Sequence, residues 1–485
     1  MRRKVILAAM AVLSIGTGTA TRASDPVSSD PTLAAPPPAD DDSQRRRPGP
    51  EEKHELPPID PTAVQPPSPA LSRETIPVPD RWRLVEAIGV HGKWWDPYNQ
   101  NSLKGDRPMW GDWFVNVGVI SDTVFEPRGV PTPVGNQGDA QSGRLDAFAG
   151  AGQTVFTQSV ISSFSLIKGD TAFRPPNIEI RVTPVINFNH VSVDADQALN
   201  IDPSRGTVRN DGFVGLQEAF VDYHIRNVSD RYDFDSIRIG IQPVTLDFRG
   251  FLFEDQQLGI RLFGNRDNNR WQYNVAWFRR IEKDTNSGLN DVTKRLRKDD
   301  VFFANLYRQD FPVHGYTVEG VVAYNRNREG TQKDYYDTDG FLVRPAPIGV
   351  ERPFNYDVVY LGFNGDGHFG RLNLTHSFYA ALGNVSANPF TSVIRDDPAD
   401  IRAWFVAVEP SVDFDWIRVR GQFLYASGDG NPYDHKAGGF DAILENPQFA
   451  GAETSYWIRQ GVPLVGGGGV GLSGRNGVLN SLRSS

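Results

Sequence analysis

The fold is decided by the stretch Asn177-Ile178-Glu179-Ile180-Arg181-Val182-Thr183-Pro184-Val185-Ile186-Asn187-Phe188. Apolar residues occupy every even position from Ile178 to Phe188, whereas Glu179, Arg181 and Asn187 lie at odd positions. Because successive side chains of a β-strand point to opposite faces, this alternation predicts one apolar and one polar face. The run is longer than a usual soluble strand and long enough for a tilted strand to cross a membrane.

Similar alternating segments recur along the rest of the chain, and we count thirteen of them. Their apolar faces carry β-branched and aromatic residues, for example Trp271, Val275 and Trp277, and we expect these faces to contact lipid. The predicted starts are Trp113, Thr154, Asn177, Leu216, Ser236, Gln257, Trp271, Val301, Tyr316, Tyr356, Phe369, Ala403 and Trp416.

Long and short connections alternate between these segments. The join 121–153 is long and polar, whereas the next join, 168–176, is short, and the same order repeats along the chain. Long loops and short turns gather at opposite rims of outer-membrane barrels. A soluble sandwich whose core is the apolar face is the alternative, but a Greek key would not give this order. The sequence therefore predicts an all-β fold, a transmembrane antiparallel up-and-down β-barrel with about 13–14 strands visible.

Three segments precede the predicted barrel. Residues 1–23 join a basic start to a short apolar run and predict a secretory signal peptide. Residues 24–80 are rich in proline and predict a disordered periplasmic linker. Residues 81–112 form an entry segment that fits a plug, a lip or a first strand, and residues 113–485 form the predicted barrel.

The glycine-rich stretch 428–485 follows the thirteenth segment, which ends at the rim of the long loops. Closed bacterial barrels have an even number of strands. We therefore expect C-terminal strands to be missing from this sequence. A strand near 84–90 or 455–460 that the pattern does not reveal is the alternative.

The composition excludes several classes of protein. The chain has 485 residues, a net charge of −9 and no cysteine, and its mean hydropathy is −0.41. A helical membrane bundle needs repeated apolar runs of about 20 residues, which are absent from the sequence. The lack of cysteine excludes disulfide scaffolds and thiolate metal sites, and the acidic balance argues against nucleic acid as a partner.

Two short motifs resemble a known family. The run Trp95-Asp96-Pro97-Tyr98-Asn99-Gln100-Asn101, followed by Leu103-Lys104-Gly105-Asp106, resembles the entry segment of large porin-like outer-membrane proteins. The stretch His435-Lys436-Ala437-Gly438-Gly439-Phe440-Asp441-Ala442, with Asn446-Pro447 and Ser455-Tyr456-Trp457 after it, resembles a late external loop of the alginate-export family. The resemblance implies a barrel of about 18 strands that passes an anionic polysaccharide through an arginine-lined pore.

The polar face of the segments supplies the candidate pore lining. With Arg280 included, eight arginines oppose Glu179, Glu218, Asp222, Glu319 and Glu409, which gives this face a charge of +3 and predicts a preference for anions. The predicted pore-lining residues are Arg181, Arg226, Arg238, Arg261, Arg371, Arg418 and Arg420.

The sequence gives less support to a metal site, a nucleotide-binding loop and a set of interfacial tryptophans. Asp429, Asn431 and Asp434 lie in one turn and are candidate ligands of a structural Ca²⁺ ion, although the spacing is not that of an EF-hand. No cofactor is otherwise predicted. The run 469–474 matches G-x-G-x-x-G without a βαβ unit around it and is interpreted as a glycine loop. Five tryptophans are candidates for interfacial girdles: Trp113, Trp271, Trp277, Trp404 and Trp416.

The sequence thus predicts a channel in the cell outer membrane for passive diffusion or export of anionic solutes, including an alginate-like acidic polysaccharide. Expected partners are outer-membrane lipid, the barrel-assembly machinery and the anionic solute or polysaccharide. No constellation of catalytic residues is found, so the protein is not expected to be an enzyme. A surface-binding or adhesive barrel, and less readily an outer-membrane enzyme, are the alternatives.

Overall fold

The structure is a computed structural model of the chain. The residues that it describes are 12–13, 89, 93–96, 101–129, 152–169, 175–194, 199–200, 202–229, 233–284, 287–331, 335–336, 342–344, 355–386, 398–431, 433–445, 449, 462–463 and 469–470. The predicted linker, residues 24–80, lies outside them, as do most of the signal peptide and the candidate strand at 455–460.

All thirteen predicted segments form strands, in the predicted order. One further strand, β1, lies in the entry segment, and the thirteenth predicted segment is divided into two short strands. The bounds are β1 Lys104–Trp110, β2 Trp113–Gly129, β3 Gly152–Lys168, β4 Ile178–Val193, β5 Val208–Asn227, β6 Phe234–Thr245, β7 Glu254–Arg266, β8 Trp271–Arg279, β9 Asp299–Arg308, β10 Tyr316–Asn327, β11 Tyr356–Phe369, β12 Leu372–Val385, β13 Ala399–Phe414, β14 Ile417–Arg420 and β15 Phe423–Ala426.

Each strand from β1 to β13 pairs antiparallel with the next one along the chain, and both β14 and β15 pair with β13. The predicted up-and-down topology is therefore confirmed. Within the described residues, β1 and β15 are not paired with each other; the only other partner at the β14 edge is the two-residue strand Val12–Leu13.

The connections alternate between two rims. The strand ends joined by the connections 130–151, 194–207, 246–253, 280–298, 328–355 and 386–398 lie at one rim, which we call the loop rim. The strand ends joined by the connections 169–177, 228–233, 267–270, 309–315, 370–371 and 415–416 lie at the other, the turn rim. Several strands are longer than predicted, because β5 begins at Val208 rather than Leu216 and β7 at Glu254 rather than Gln257.

The two faces of the sheet differ as the alternation predicts. We call inner the face against which the segment Leu246–Phe253 packs; it carries Phe278, Phe303 and Phe405, which are fully or nearly fully buried. The outer face is apolar and exposed, as the following residues show: Ile180, Ile186, Phe188, Ile239, Ile260, Val275, Trp277, Phe302, Leu306, Val322, Leu361, Phe363, Phe378, Leu382 and Trp404.

Such a continuous apolar surface is far larger than the patches that water-soluble monomers expose. It is the surface that an up-and-down barrel presents to lipid, flanked by aromatic side chains near both rims. Trp113, Trp271 and Trp416 lie at the turn rim, whereas Trp277 and Trp404 lie nearer the loop rim. The fold is that of a transmembrane antiparallel β-barrel, and its location is the outer membrane.

Two irregularities in β5 change which face its side chains occupy. The register against β4 shifts at Thr183 and Pro184, and the register against β6 shifts between His224 and Arg226. A bulge adds one residue to a strand, so the side chains beyond it exchange faces. Arg226 therefore pairs with Asp235 on the outer face, whereas simple alternation predicts that it lies with Arg238 on the inner face.

The remaining elements are short. Two 3₁₀ turns are Pro203–Arg205 and Glu329–Thr331. The other strands are Glu282–Lys283 with Asn290–Asp291, Tyr335–Tyr336 with Leu342–Arg344, Val462–Pro463 with Gly469–Val470, and Lys436–Ala437, which runs parallel to β13.

Among the described residues, no helix is long and apolar enough to cross a membrane. The chain divides into two compact units, residues 1–14 with 81–485 and residues 15–80, and the second is outside the described residues.

Candidate functional site

A belt of polar side chains crosses the inner face of the barrel. The belt lies closer to the turn rim than to the loop rim. Its side chains are on the inner face, and most of them come from the half of each strand that ends at the turn rim. Its members come from successive strands and are Arg181, Glu218, Asp222, Arg238, Arg261, Asn274, Asn305, Glu319, Asn364, Tyr379, Glu409 and Arg420.

In strands β4 to β7 the belt is a row in which guanidinium groups alternate with phenyl rings. The Arg238 guanidinium lies 4.4 Å from the centroid of Phe220 and 5.6 Å from that of Phe263. Arg181 lies 5.5 Å from the Phe220 centroid, and Arg261 lies 4.9 Å from that of Phe263. Cation–π contacts of this kind hold a guanidinium against the wall while its edge stays available for hydrogen bonds. We call the inner face of β4–β7 the open wall.

Most arginines of the open wall have a carboxylate partner. Arg181 Nη2 lies 2.6 Å from Glu179 Oε1, and Arg238 Nη2 lies 2.7 Å from Asp222 Oδ2. Arg261 differs, because among the described residues no carboxylate lies within salt-bridge distance of it, and its Nε donates to Asn274 Oδ1 at 2.7 Å. Arg261 is also the direct cross-strand neighbour of Arg238. Two like charges facing each other across strands repel, so this pair attracts an anion.

A relay of amide groups continues the belt from β8 to β12. Asn274 Nδ2 donates to Asn305 Oδ1 at 2.8 Å, and Asn305 Nδ2 donates to Glu319 Oε1 at 2.8 Å. From the other side, Asn364 Nδ2 donates to Glu319 Oε2 and to the Tyr379 hydroxyl, both at 3.0 Å. Glu319 is completely buried, and these donors replace the water that its carboxyl group loses.

The loop between β6 and β7 folds into the barrel and covers the inner face of β8–β13. Its side chains Leu246, Leu252 and Phe253 have no exposed surface. The ring of Phe251 lies 5.0 Å from that of Phe405, and the ring of Phe253 lies 6.3 Å from that of Phe278. We call residues Leu246–Phe253 the plug, and the inner face of β8–β13 that it covers the filled half.

Asp247 fixes the conformation of the plug. Its Oδ1 accepts the backbone N–H of Arg249 at 2.8 Å and of Phe251 at 3.1 Å, and its Oδ2 accepts the N–H of Leu252 at 3.0 Å. The Tyr379 hydroxyl donates to the same Oδ2 at 2.9 Å. One carboxylate thus closes the turn of the plug and joins it to the belt.

Arg249 attaches the tip of the plug to the far side of the belt. Its Nη2 donates to Thr375 Oγ1 at 3.0 Å and to Glu409 Oε1 at 3.4 Å. Glu409 Oε2 also accepts a hydrogen bond from Gln422 Nε2 at 3.0 Å, and Glu409 Oε1 lies 3.6 Å from Arg420 Nε. A charged clamp therefore holds the plug against β12 and β13.

A second segment, residues 436–445, enters the barrel beside the plug. The backbone N–H groups of Ile443 and Leu444 donate to Leu252 O at 3.1 and 3.2 Å. Arg280 Nη1 donates to Ile443 O at 3.3 Å, and the Tyr360 hydroxyl donates to Asp441 O at 3.0 Å. The plug is thus covered from the loop rim by a segment that is anchored to the wall.

Of the seven predicted pore-lining arginines, four do not lie on the open wall. Arg226 lies on the outer face, for the reason given above, and Arg371 lies in the turn between β11 and β12. Arg418 makes two hydrogen bonds to Asp413, at 2.5 and 2.8 Å, and Arg420 lies beside Glu409. Arg181, Arg238 and Arg261 lie together on the open wall.

The charge of the inner face differs from the +3 expected from alternation. At the level of the belt and the adjacent plug, six arginines face eight carboxylates, a net charge of −2. The arginines are Arg181, Arg238, Arg249, Arg261, Arg418 and Arg420. The carboxylates are Glu179, Glu218, Asp222, Asp247, Glu319, Asp366, Glu409 and Asp413. Alternation missed Asp247 and Arg249 because both lie in a loop.

The candidate Ca²⁺ ligands lie in a turn beyond β15. Asp429 Oδ1 accepts the N–H of Asn431 at 3.0 Å, and Asp434 Oδ1 accepts the N–H of Lys436 at 2.8 Å. Asn431 Oδ1 accepts the N–H of Tyr433 at 3.4 Å. Each side chain thus closes its own short turn. Among the described residues, no group of three His, Cys, Asp or Glu side chains is arranged to hold a metal ion, and Ca²⁺ binding stays a prediction.

Comparison with known proteins gives a weak likeness to a solved structure. No family model matches the chain, and no curated protein matches it. A solved structure of OprB from Pseudomonas putida, determined at high pH, superposes with a TM-score of 0.30 and 10% sequence identity, over 65% of this chain and 89% of that one. The strands and the two faces of this chain itself therefore define its fold.

Proposed function

We propose that the protein is an outer-membrane channel that lets small polar solutes pass along the open wall. The observation that carries this proposal is the contrast between the two halves of the inner face. The filled half is covered by the apolar plug, whereas Arg181 keeps 36% of its side-chain surface exposed on the open wall. Charged side chains that line a membrane-embedded interior need water, and a wet interior conducts ions.

The selectivity of this channel depends on local arrangement rather than on total charge. The net charge of the belt does not favour anions, but the pair Arg238 and Arg261 presents two guanidinium groups with a single carboxylate, Asp222, beside them. Guanidinium groups bind carboxylates through paired donors. We therefore propose that small anionic solutes, and carboxylates in particular, bind to Arg238 and Arg261 as they pass through the channel.

Planar-bilayer recordings of the purified full chain test the channel. We expect stepwise conductance, and we expect the protein to show the spectrum of a sheet protein and to migrate faster on a gel when it is not boiled. A surface-binding barrel or a barrel enzyme with a sealed interior would give the same gel shift without conductance, and this result would refute the proposal.

An acidic polysaccharide is the second candidate for the transported solute. The row Arg181, Phe220, Arg238, Phe263 and Arg261 favours it, because successive guanidinium groups and rings along one wall match a chain of sugar carboxylates. Oligouronates added to the bilayer should then block the current at lower concentrations than neutral oligosaccharides of the same length. Equal block by both would leave only the passage of small solutes.

A further inference from the structure

Three arginines lie in a row on the outer face at the turn rim. They are Arg226 at the end of β5, Arg266 at the end of β7 and Arg308 at the end of β9, and we call them the arginine strip. Trp271 and Tyr273 of β8 lie between the last two. The function proposed above makes no use of these residues, which lie on the opposite side of the wall from the belt.

The bulge in β5 places Arg226 in this row. Because Arg226 is opposite Asp235, its side chain lies on the outer face, where its Nε is 2.8 Å from Asp235 Oδ2. Arg266 Nη2 lies 2.7 Å from the other oxygen, Asp235 Oδ1. The side chain of Arg226 is 66% exposed, and its hydrogen bond to Asp235 uses only Nε.

Aromatic rings orient the other two arginines. Trp271 is the cross-strand neighbour of Arg266 on one side and of Arg308 on the other. The Arg308 guanidinium lies 4.6 Å from the Trp271 centroid, and the Arg266 guanidinium lies 5.3 Å from the Tyr273 centroid. Tryptophan and tyrosine at the end of a lipid-facing strand mark the headgroup level of a bilayer.

The strip has more positive charge than its partners neutralise. Among the described residues, two carboxylates, Asp235 and Asp267, lie within salt-bridge distance of its three guanidinium groups, and Asp267 is also 3.9 Å from Arg270 Nη1. The Arg308 Nη1–Asp267 Oδ2 distance of 3.6 Å is too long for a hydrogen bond. Among the described residues, Arg308 Nη1 has no hydrogen-bond acceptor, although the side chain keeps 25% of its surface exposed. An unpaired donor is costly, which favours a side-chain position that reaches an acceptor outside the protein.

We propose that the arginine strip binds the phosphate of an anionic phospholipid in the periplasmic leaflet. The strip lies on the lipid-facing surface, and short turns of such barrels are at the periplasmic rim. Guanidinium groups match phosphate oxygens with paired donors, and basic clusters at the headgroup level recognise anionic lipids. The alternative is that Arg226 and Arg266 only neutralise Asp235.

Native mass spectrometry of the detergent-extracted full chain tests this proposal. The probe is phosphatidylglycerol added at increasing concentration, with phosphatidylethanolamine as the neutral comparison. The test variant carries Arg226→Gln and Arg308→Gln. The matched control is Arg402→Gln, because Arg402 is also an exposed outer-face arginine beside an aspartate, Asp400, but lies in the half of β13 nearest the loop rim.

We expect the wild type and the Arg402→Gln control to retain phosphatidylglycerol alike, and the double variant to bind it roughly tenfold more weakly, as the loss of charge-assisted hydrogen bonds to phosphate implies. Equal retention by all three proteins, or equal loss in the control, would overturn the proposal. So would equal retention of phosphatidylethanolamine by the wild type.

A competition arm separates a lipid site from a general anion site. Inorganic phosphate at millimolar concentration should leave bound phosphatidylglycerol in place, because the acyl chains add contacts that free phosphate lacks. Full displacement would assign the strip to free phosphate instead and refute the lipid site. The gel shift on heating, measured for every variant, verifies that each protein is folded. If the double variant does not fold, the single variants Arg226→Gln and Arg308→Gln replace it, and each should still bind phosphatidylglycerol more weakly than the Arg402→Gln control.

Discussion

The filled half and the open wall belong to one sheet, yet their inner faces have opposite chemistry. Toward the loop rim, the inner face of the filled half carries Phe278, Phe303 and Phe405, all of them nearly or completely buried. The open wall carries Arg181, Arg238 and Arg261 on its inner face, nearer the turn rim, at the level where the filled half carries amide side chains. A strand that is apolar on its outer face for lipid can be apolar on its inner face only where another part of the chain covers it.

The comparison teaches how to find a plug from sequence. Strand β9 has Phe302 and Leu306 on its outer face and Val301 and Phe303 on its inner face, so its alternation is weak. Strand β4 alternates from Ile178 to Val182, and its inner face remains uncovered over Arg181, whose side chain is 36% exposed. Loss of alternation inside a predicted barrel strand therefore indicates an inner face that is covered.

The largest expected effect is the loss of a buried ring in the filled half. Phe253→Ala removes a side chain with no exposed surface that packs against Phe278. Such truncations cost about 3–5 kcal/mol. The midpoint of the gel-shift transition on heating should fall markedly for Phe253→Ala. Phe302→Ala, on the lipid-facing side of the same half, should lower it much less, and equal effects would mean that the plug is not packed as described.

The next effect concerns the attachment of the plug. Asp247→Asn keeps the shape of the side chain but weakens the acceptor of three backbone N–H groups and of the Tyr379 hydroxyl. Hydrogen bonds to a charged group contribute about 1.5–3 kcal/mol each. We expect the plug to detach more often and single-channel conductance to rise. Asp202→Asn removes a similar turn carboxylate from another loop and serves as the control.

A smaller effect is expected from one charge on the open wall. Arg261→Gln removes the guanidinium group that lacks a carboxylate partner among the described residues, while Gln can still donate to Asn274. Near a solvated wall one charge changes ion energies by about 1 kcal/mol or less, so the anion-to-cation permeability ratio should fall by about threefold. Reversal potentials measure this ratio. Arg402→Gln on the outer face should leave it unchanged.

The smallest effect is expected from Asp310, which lies in a turn at the turn rim, outside the open wall and the filled half. Asp310 Oδ1 accepts the N–H of Gly315 at 2.9 Å, and this hydrogen bond lowers the pKa of the carboxyl group. The ionised carboxyl group stabilises the turn at pH values above its unfolded-state pKa of about 3.9. This stabilisation is lost as the pH falls through the lower pKa of the folded state. Amide exchange at Gly315 should therefore accelerate in acid. The acceleration should be absent in Asp310→Asn, and conductance should not change.

The sequence determined the existence and order of thirteen strand segments and the faces of most of them, because the period-two pattern and the alternation of loop lengths depend on local geometry and on the thickness of the membrane. It also placed Arg181, Arg238 and Arg261 on the inner face. Only the tertiary structure decided that Arg226 faces outward, because a bulge of one residue leaves no signal in an alternating pattern.

The plug was likewise decided only in three dimensions. Residues 246–253 include five large apolar side chains, which indicates burial, but the sequence does not show which part of the wall they cover. Asp247 meets Tyr379 of β12, 132 residues further along the chain, because the loop after β6 packs against the inner face of that strand. The balance of charge on the inner face follows from the same contacts, since it depends on which loop side chains enter the barrel. Local pattern fixes each strand, whereas the contents of the interior depend on contacts between residues far apart in the chain.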